Sequence, residues 1–219
     1  MNKEIVIIDY QLGNLFSVNQ ALINIGLNAK VTSDPKDVLH ADAVILPGVG
    51  AFRDAMINLD NMALIEPIRK IVEAGKPLFG ICLGLQLLFE SSDEFGASEG
   101  LGLIEGDVRK FKNTSPQGAA VKVPQIAWNT INKLTPDSWN ETPLEGIEDG
   151  ENMYFVHSYY INPRSPEITL TETTYGGLKY TSSILKDNIF ACQFHPEKSA
   201  DKGIAIYRNW AYQNKLLKN

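Results

Sequence analysis

The chain has 219 residues, 44% of them hydrophobic and 21% charged, with a net charge of −6 at neutral pH. That balance describes a globular protein long enough to bury a core without disulfides or metals, and it argues against a disordered, collagen-like or coiled-coil chain. The negative charge speaks against a nucleic-acid binder held by a basic face, and no apolar run approaches the roughly 20 residues of a membrane span. The start, MNKEIVIID, has an acid beside its apolar stretch and no small-residue cleavage site, so it reads as a first strand rather than a signal peptide. With two cysteines, Cys82 and Cys192, and no export signal, a cytoplasmic protein with unpaired thiols is expected.

Residues 4–9 (EIVIID) form a short β-branched run that predicts a buried strand. A helix follows over 14–26, where Leu15, Val18, Leu22 and Ile25 recur at helical spacing, Asn14 can cap the start and Gly26 can end it. Strands are predicted at 29–32 and 43–46, with His40 in a solvated polar stretch between them. The Gly-rich turn 47–52 leads into a helix, and Leu64, Ile65, Ile68, Ile71 and Val72 mark another that runs to Gly75. Residues 77–81 (PLFGI) read as a strand and 83–90 as a helix directly after it. Strands that are continuous apolar runs alternating with helices predict a parallel sheet covered on both faces.

The second half changes character. Segments 103–111, 121–128, 152–160, 169–175, 179–185 and 189–194 all read as strands, and Ile204, Tyr207, Trp210 and Ala211 suggest a closing helix. The expectation is one α/β domain over residues 1–219, with a mixed or antiparallel extension in its second half.

Phe79-Gly80-Ile81-Cys82-Leu83-Gly84 sets a cysteine between two glycines where an apolar strand meets an apolar helix. Gly-x-Cys-x-Gly follows the logic of a nucleophile elbow. The turn is sharp, glycine on each side relieves crowding, and the thiol sits at a helix N-terminus, which favours the thiolate. The Leu83 N–H lacks a helical partner and can donate to an oxyanion. Most free cysteines are small apolar core residues. The glycines and the strand–helix context favour a nucleophile at Cys82, whereas strand alternation explains Cys192.

A thiol nucleophile needs a base, and the base needs an orienting group. Phe194-His195-Pro196-Glu197 supplies both, because residues two apart in an extended segment point to the same side and Pro196 disfavours a helical His195. Glu197 can then hold the imidazole in one tautomer and stabilise its charged form. His157, in an apolar strand, is expected in a hydrogen-bonded position that shapes the site, with no proton-transfer role. The turn at Pro47-Gly48-Val49-Gly50 follows the third strand and lacks a third glycine, so it is not a dinucleotide fingerprint. Val49 and Gly50 N–H groups can complete the oxyanion hole begun by Leu83; a plain tight turn explains the spacing equally well. No Cys/His cluster has metal-ligand spacing, so neither a metal nor a cofactor is expected.

Gly80-Ile81-Cys82-Leu83-Gly84-Leu85-Gln86 and Phe194-His195-Pro196-Glu197-Lys198-Ser199 resemble the signature segments of class I, triad-type glutamine amidotransferases. Within that superfamily, Asp9-Tyr10, Gly13-Asn14-Leu15, residues 47–52, Pro124, Trp128-Asn129 and residues 154–159 are similar to the glutaminase-subunit family of imidazole glycerol phosphate synthase. The resemblance spans nearly the whole chain. It implies a flavodoxin-like three-layer sandwich with a mixed central sheet, and Cys82, His195 and Glu197 as triad. Gly50, Leu83, Gln86, Ser158 and Tyr159 would line the glutamine site. The chemistry implied is attack of Cys82 on the side-chain carboxamide of L-glutamine, a glutamyl thioester, and release of ammonia and then glutamate.

The resemblance also implies a heterodimer. The partner is a (β/α)8 cyclase that takes ammonia through a shielded channel to make imidazole glycerol phosphate and aminoimidazole carboxamide ribonucleotide in histidine biosynthesis. Asn14, Pro124, Trp128 and Lys198 would face it. The residues themselves support a partner too: one domain leaves no room for an acceptor site, and free ammonia at neutral pH is mostly protonated and not nucleophilic. The chain departs from the family pattern at Gln11, where glycine is common, and at Gln125 and Ala127, where His and Gly are common. One alternative keeps the chemistry and changes the partner to a sugar amidotransferase of surface-polysaccharide pathways, whose glutaminase paralogues residues 182–190 resemble. A second is a stand-alone γ-glutamyl hydrolase or cysteine peptidase of the same fold.

Overall fold

Four consecutive aliphatic residues, all buried, suit a strand covered on both faces, and the first strand is of this kind. The computed structural model describes residues 3–217. Its first half runs β1 (Ile5–Ile8), α1 (Leu15–Asn24), β2 (Ala29–Thr32), α2 (Pro35–His40), β3 (Ala43–Gly48), α3 (Phe52–Asn61), α4 (Ile65–Glu73), β4 (Leu78–Cys82) and α5 (Leu83–Leu87). The second runs β5 (Phe89–Ser92), β6 (Ser98–Glu99), β7 (Ile104–Lys110), β8 (Gln125–Ile131), β9 (Glu151–His157), β10 (Tyr159–Pro163), β11 (Thr169–Tyr175), β12 (Leu178–Lys186), β13 (Ile189–Cys192) and α6 (Ala200–Gln213).

Alternate side chains of the central strands enter two separate cores. Ile5, Ile7, Phe79 and Phe190 pack with Leu22 of α1 and with Tyr207 and Trp210 of α6. Val6, Ile8, Val44 and Leu46 pack on the other side with Val38, Phe52, Ile68 and Leu85, from α2, α3, α4 and α5. The result is a three-layer α/β sandwich. The main sheet has eleven strands in the order β2-β1-β3-β4-β13-β12-β10-β7-β5-β6, with β11 on β12. The run β2-β1-β3-β4-β13 is parallel throughout and follows the doubly wound flavodoxin-like order. From β13 the pairing turns antiparallel through β12, β10 and β7. Strands β8 and β9 form a separate two-stranded ribbon. No helix among the described residues is long and apolar enough to cross a membrane.

Several elements differ from the sequence expectation. The helix predicted over 83–90 ends at Leu87 and gives way to β5, because Leu83, Leu85, Leu87, Leu88 and Phe89 are all buried and such a run carries no period. The strand predicted over 121–128 begins only at Gln125, after Pro124, and continues to Ile131. The strand predicted over 152–160 is two strands that break at Ser158, where the chain leaves the ribbon for the main sheet. Helix α2 had no apolar stripe to announce it. It buries only Val38 and is started by Asp34, whose side chain accepts from Lys36 N, with Pro35 in the first turn.

The turn between β4 and α5 is packed without slack. A Cβ at Gly84 would lie 1.8 Å from the Leu46 carbonyl oxygen, a backbone atom that cannot swing aside. Gly84→Ala is therefore expected to cost about 3 kcal/mol, the upper end of the overpacking range. Its urea midpoint should fall with the slope unchanged; a midpoint equal to that of the parent chain would contradict the packing.

Candidate active site

Parallel strands in register end along one edge, and the site is built there. Gly48 at the end of β3 pairs with Cys82 at the end of β4, and Ile81 pairs with Cys192 at the end of β13. In open α/β sheets this carboxyl edge, near the point where strand order reverses, is where ligands bind. Cys82 has φ +55° and ψ −107°, a backbone conformation that a non-glycine residue holds only under constraint. Gly80 and Gly84 allow it, since added side chains would meet Ala191 and Leu46. The Cys82 sulfur lies 3.9 Å from the Val156 carbonyl oxygen and 3.6 Å from Gln193 Nε2.

The loop after β13 delivers the histidine. His195 N donates to Tyr154 O at 2.9 Å, which ties this loop to β9. His195 Nδ1 lies 2.7 Å from Glu197 Oε1, and the two side chains are 2% and 1% exposed. That contact fixes the proton on Nδ1 and leaves Nε2, buried and with no hydrogen-bond partner among the described residues. Burial pulls the imidazole down, but the charge of Cys82 and then Glu197 outweigh it and carry His195 up to about 10. A charged imidazolium beside a sulfur is the arrangement of an activated thiol.

Cys82 opens on a pocket of about 260 Å³. Val49, Gly50, Leu83, Gln86, Ser158 and Tyr159 all line it, so the residues singled out from the sequence come together around one sulfur. The Val49 N–H differs from the expectation. It donates to Leu12 O at 3.2 Å and so is turned away from the pocket. Pocket-lining Glu94 was missed, because it lies beyond a segment read as helix and no spacing marks it. Its carboxylate accepts from Phe52 N at 2.6 Å, and burial pushes it above the usual carboxylate range. His157 is buried in the pocket wall, its Nδ1 2.7 Å from Tyr159 O and its Nε2 3.2 Å from Tyr180 OH. Burial lowers it to about 4, so it stays neutral at neutral pH.

Asn14 is half-buried and caps α1 through Ser17 N, and Pro124 lines the pocket mouth. Trp128 is 52% exposed, so its ring is not part of the core. Its ring meets Tyr154 edge-on at 6.0 Å, and the exposed Lys198 ammonium lies 5.8 Å from the centre of the same Tyr154 ring. Tyr154 in turn lies 6.4 Å from the His195 ring, so this surface patch reaches inward to the site. Gln11, at a position where glycine is common, has φ +70° and is held by a bond from its N–H to Asp9 Oδ1 at 2.9 Å. His40 is exposed at the end of α2.

The sequence profile of the family described as glutamine amidotransferase class-I matches residues 6–213. The chain belongs to that family. It is a glutamine amidotransferase, and curated relatives match it from end to end. The imidazole glycerol phosphate synthase subunit HisH of Geobacter metallireducens is 44% identical over 209 residues, 94% of this chain and 97% of that one. The protein of the same name from Caldanaerobacter subterraneus is 46% identical over 213 residues, 96% and 98% of the two chains. Among solved structures, PurLQS from Thermotoga maritima shares the fold of this amidotransferase, with a TM-score of 0.71 at 18% identity over 97% of this chain and 99% of that one.

The direction of the His195 shift gives it a stability signature. A group raised from 6.5 to about 10 contributes stability that is fully present below about pH 6.5 and is lost as pH rises through about 10. The difference in unfolding free energy between the parent chain and His195→Gln should shrink across that window in urea titrations. A difference independent of pH would show that His195 is not held charged.

Proposed function

We propose that this chain is the glutaminase subunit of imidazole glycerol phosphate synthase, one domain over its whole length, working in the cytoplasm as a heterodimer with a (β/α)8 cyclase. The observation that carries the chemistry is a strained Cys82 at a pocket of amino-acid size, backed by the buried His195–Glu197 pair. The partner is supported by the name shared by the full-length relatives, a subunit of imidazole glycerol phosphate synthase.

In this reading L-glutamine enters with its α-ammonium toward Glu94, the carboxylate in the pocket wall. Cys82 sulfur attacks the side-chain carboxamide carbon. The tetrahedral oxyanion is met by Leu83 N–H, the first of α5. His195 gives its Nε2 proton to the leaving nitrogen, the C–N bond breaks, and ammonia departs from a glutamyl thioester. Water then attacks the thioester as His195 takes its proton, the C–S bond breaks, and glutamate leaves. Glu197 keeps Nδ1 protonated throughout. A second oxyanion donor is in reserve. Val49 N–H is held by Leu12 O, and turning that peptide over when the loaded partner docks would aim it at the pocket and restrain hydrolysis until then.

Ammonia must leave without meeting bulk water. The patch of Trp128, Tyr154 and Lys198, with the exposed Ile126 beside Trp128 on β8, is an apolar and cationic surface suited to a docking partner. Trp128→Ala should weaken the complex by about 30-fold in Kd, the loss of an anchor worth about 2 kcal/mol. Because the ring is half exposed, the thermal midpoint should hardly move. Unchanged affinity would remove Trp128 from the interface.

The decisive assay measures glutamate release by the chain mixed with the cyclase from the same cell and its ribonucleotide substrate. Strong, substrate-dependent stimulation is expected, falling to background with Cys82→Ala. Absence of stimulation with a competent cyclase would redirect the partner to a sugar amidotransferase. Activity retained in Cys82→Ala would overturn the nucleophile.

A further inference from the structure

The helix that follows Cys82 is shorter than the sequence suggests. Helix α5 has five residues, so few aligned peptides stand behind the sulfur. A thiolate in a site this closed needs hydrogen-bond donors, since burial otherwise favours the neutral thiol. Besides the His195 imidazolium, two protein groups lie within reach: the Val156 carbonyl oxygen can only accept, whereas Gln193 Nε2 lies 3.6 Å from the sulfur. We propose that Gln193 is a positioning residue that donates a hydrogen bond to the Cys82 thiolate, its amide held in the one useful orientation by Gln86. The proposal rests on Cys82 being the nucleophile and adds a group that keeps it ready.

Proton counting fixes the orientation. The Tyr159 carbonyl oxygen lies 2.7 Å from His157 Nδ1 and 3.1 Å from Gln86 Nε2. A carbonyl cannot donate, so both of those nitrogens carry hydrogens, and the Gln86 amide cannot be reversed. The same Gln86 NH2 group lies 3.0 Å from Gln193 Oε1. An NH2 group cannot accept, so the atom facing it must be the Gln193 oxygen. The Gln193 NH2 group therefore faces the sulfur. Gln193 is wholly buried and its backbone N–H is tied to Ser182 O at 2.8 Å, so its side chain is held where it meets the sulfur. His157 supports the same carbonyl from the other side, and its Nε2 lies 3.2 Å from Tyr180 OH.

The arrangement is directional from Tyr159 O to the sulfur. Gln86 both lines the glutamine pocket and aims Gln193, so a substrate that pulls on Gln86 acts on the thiolate without touching it.

The test uses the full chain and needs neither glutamine nor partner. Alkylation of Cys82 by iodoacetamide is followed against pH, with Cys82 and the fully buried Cys192 separated by peptide mass. Gln193→Met keeps the length and removes the donor. Its Cys82 alkylation near neutral pH should be slower by about tenfold, the effect of one hydrogen bond to a charged group, and should recover at higher pH. A profile identical to that of the parent chain, or a loss that no pH restores, would overturn the proposal. If Gln193→Met does not fold, the parent chain still decides. The Gln193 side-chain amide resonances should shift with the same pH midpoint as alkylation, and that step should vanish in Cys82→Ala. Resonances indifferent to Cys82 ionisation overturn the proposal. Failure here, with Cys82→Ala inactive in glutamate release, leaves the nucleophile standing; release retained in Cys82→Ala removes the nucleophile itself.

Discussion

The backbone leaving β4 crosses β3 so closely that no side chain fits at Gly84 against the Leu46 carbonyl. That crossing holds Cys82 at φ +55° and starts α5 at Leu83, where both residues line the pocket. It depends on the parallel register that sets Gly48 beside Cys82. Slide β4 by one residue and the sulfur would point into a core, the Gly84 contact would be lost, and the loop after β3 would no longer meet the pocket. The strain at Cys82 is stored locally and sustained by the two cores that clamp the central strands from both faces.

The two halves of the sheet divide the labour. The parallel half presents the sulfur and the Gly-rich loop, because parallel strands end together. The antiparallel half, with the β8–β9 ribbon, supplies the far wall. Its hinge is Ser158, where the chain passes from the ribbon into the main sheet within one residue. His157 and Tyr159 on either side of that step both line the pocket, and the Tyr159 carbonyl collects donors from two elements. The His195 loop is stitched to the ribbon through Tyr154, so the imidazole and the exposed aromatic patch hang on the same strand.

What could be seen in the sequence followed from local chemistry. Glycines two residues either side of Cys82 announce a sharp turn, and His-Pro-Glu announces a paired base and carboxylate, although the backbone is extended only at His195 and turns into a short 3-10 helix at Pro196–Lys198; the structure brings Cys82 and His195 together across more than a hundred residues. Aliphatic runs such as residues 5–8 and 78–82 declared the parallel strands. Features set by tertiary context stayed hidden. Strand β5 was masked by an apolar run that burial makes indifferent to period, and α2 by its nearly polar surface. Glu94 is a carboxylate in an unmarked loop, and Gln193 sits in a strand-like stretch where nothing local says that its amide faces sulfur. The direction of the Val49 peptide is a single rotation that no residue type encodes.

The chain of donors that ends on the sulfur begins at a main-chain oxygen, and this has an evolutionary consequence. A substitution at position 159 can replace the ring that lines the pocket, but it cannot delete the carbonyl. The pocket wall is thus free to diversify by mutation, while the polarity of His157, Gln86 and Gln193 is inherited with the backbone path itself.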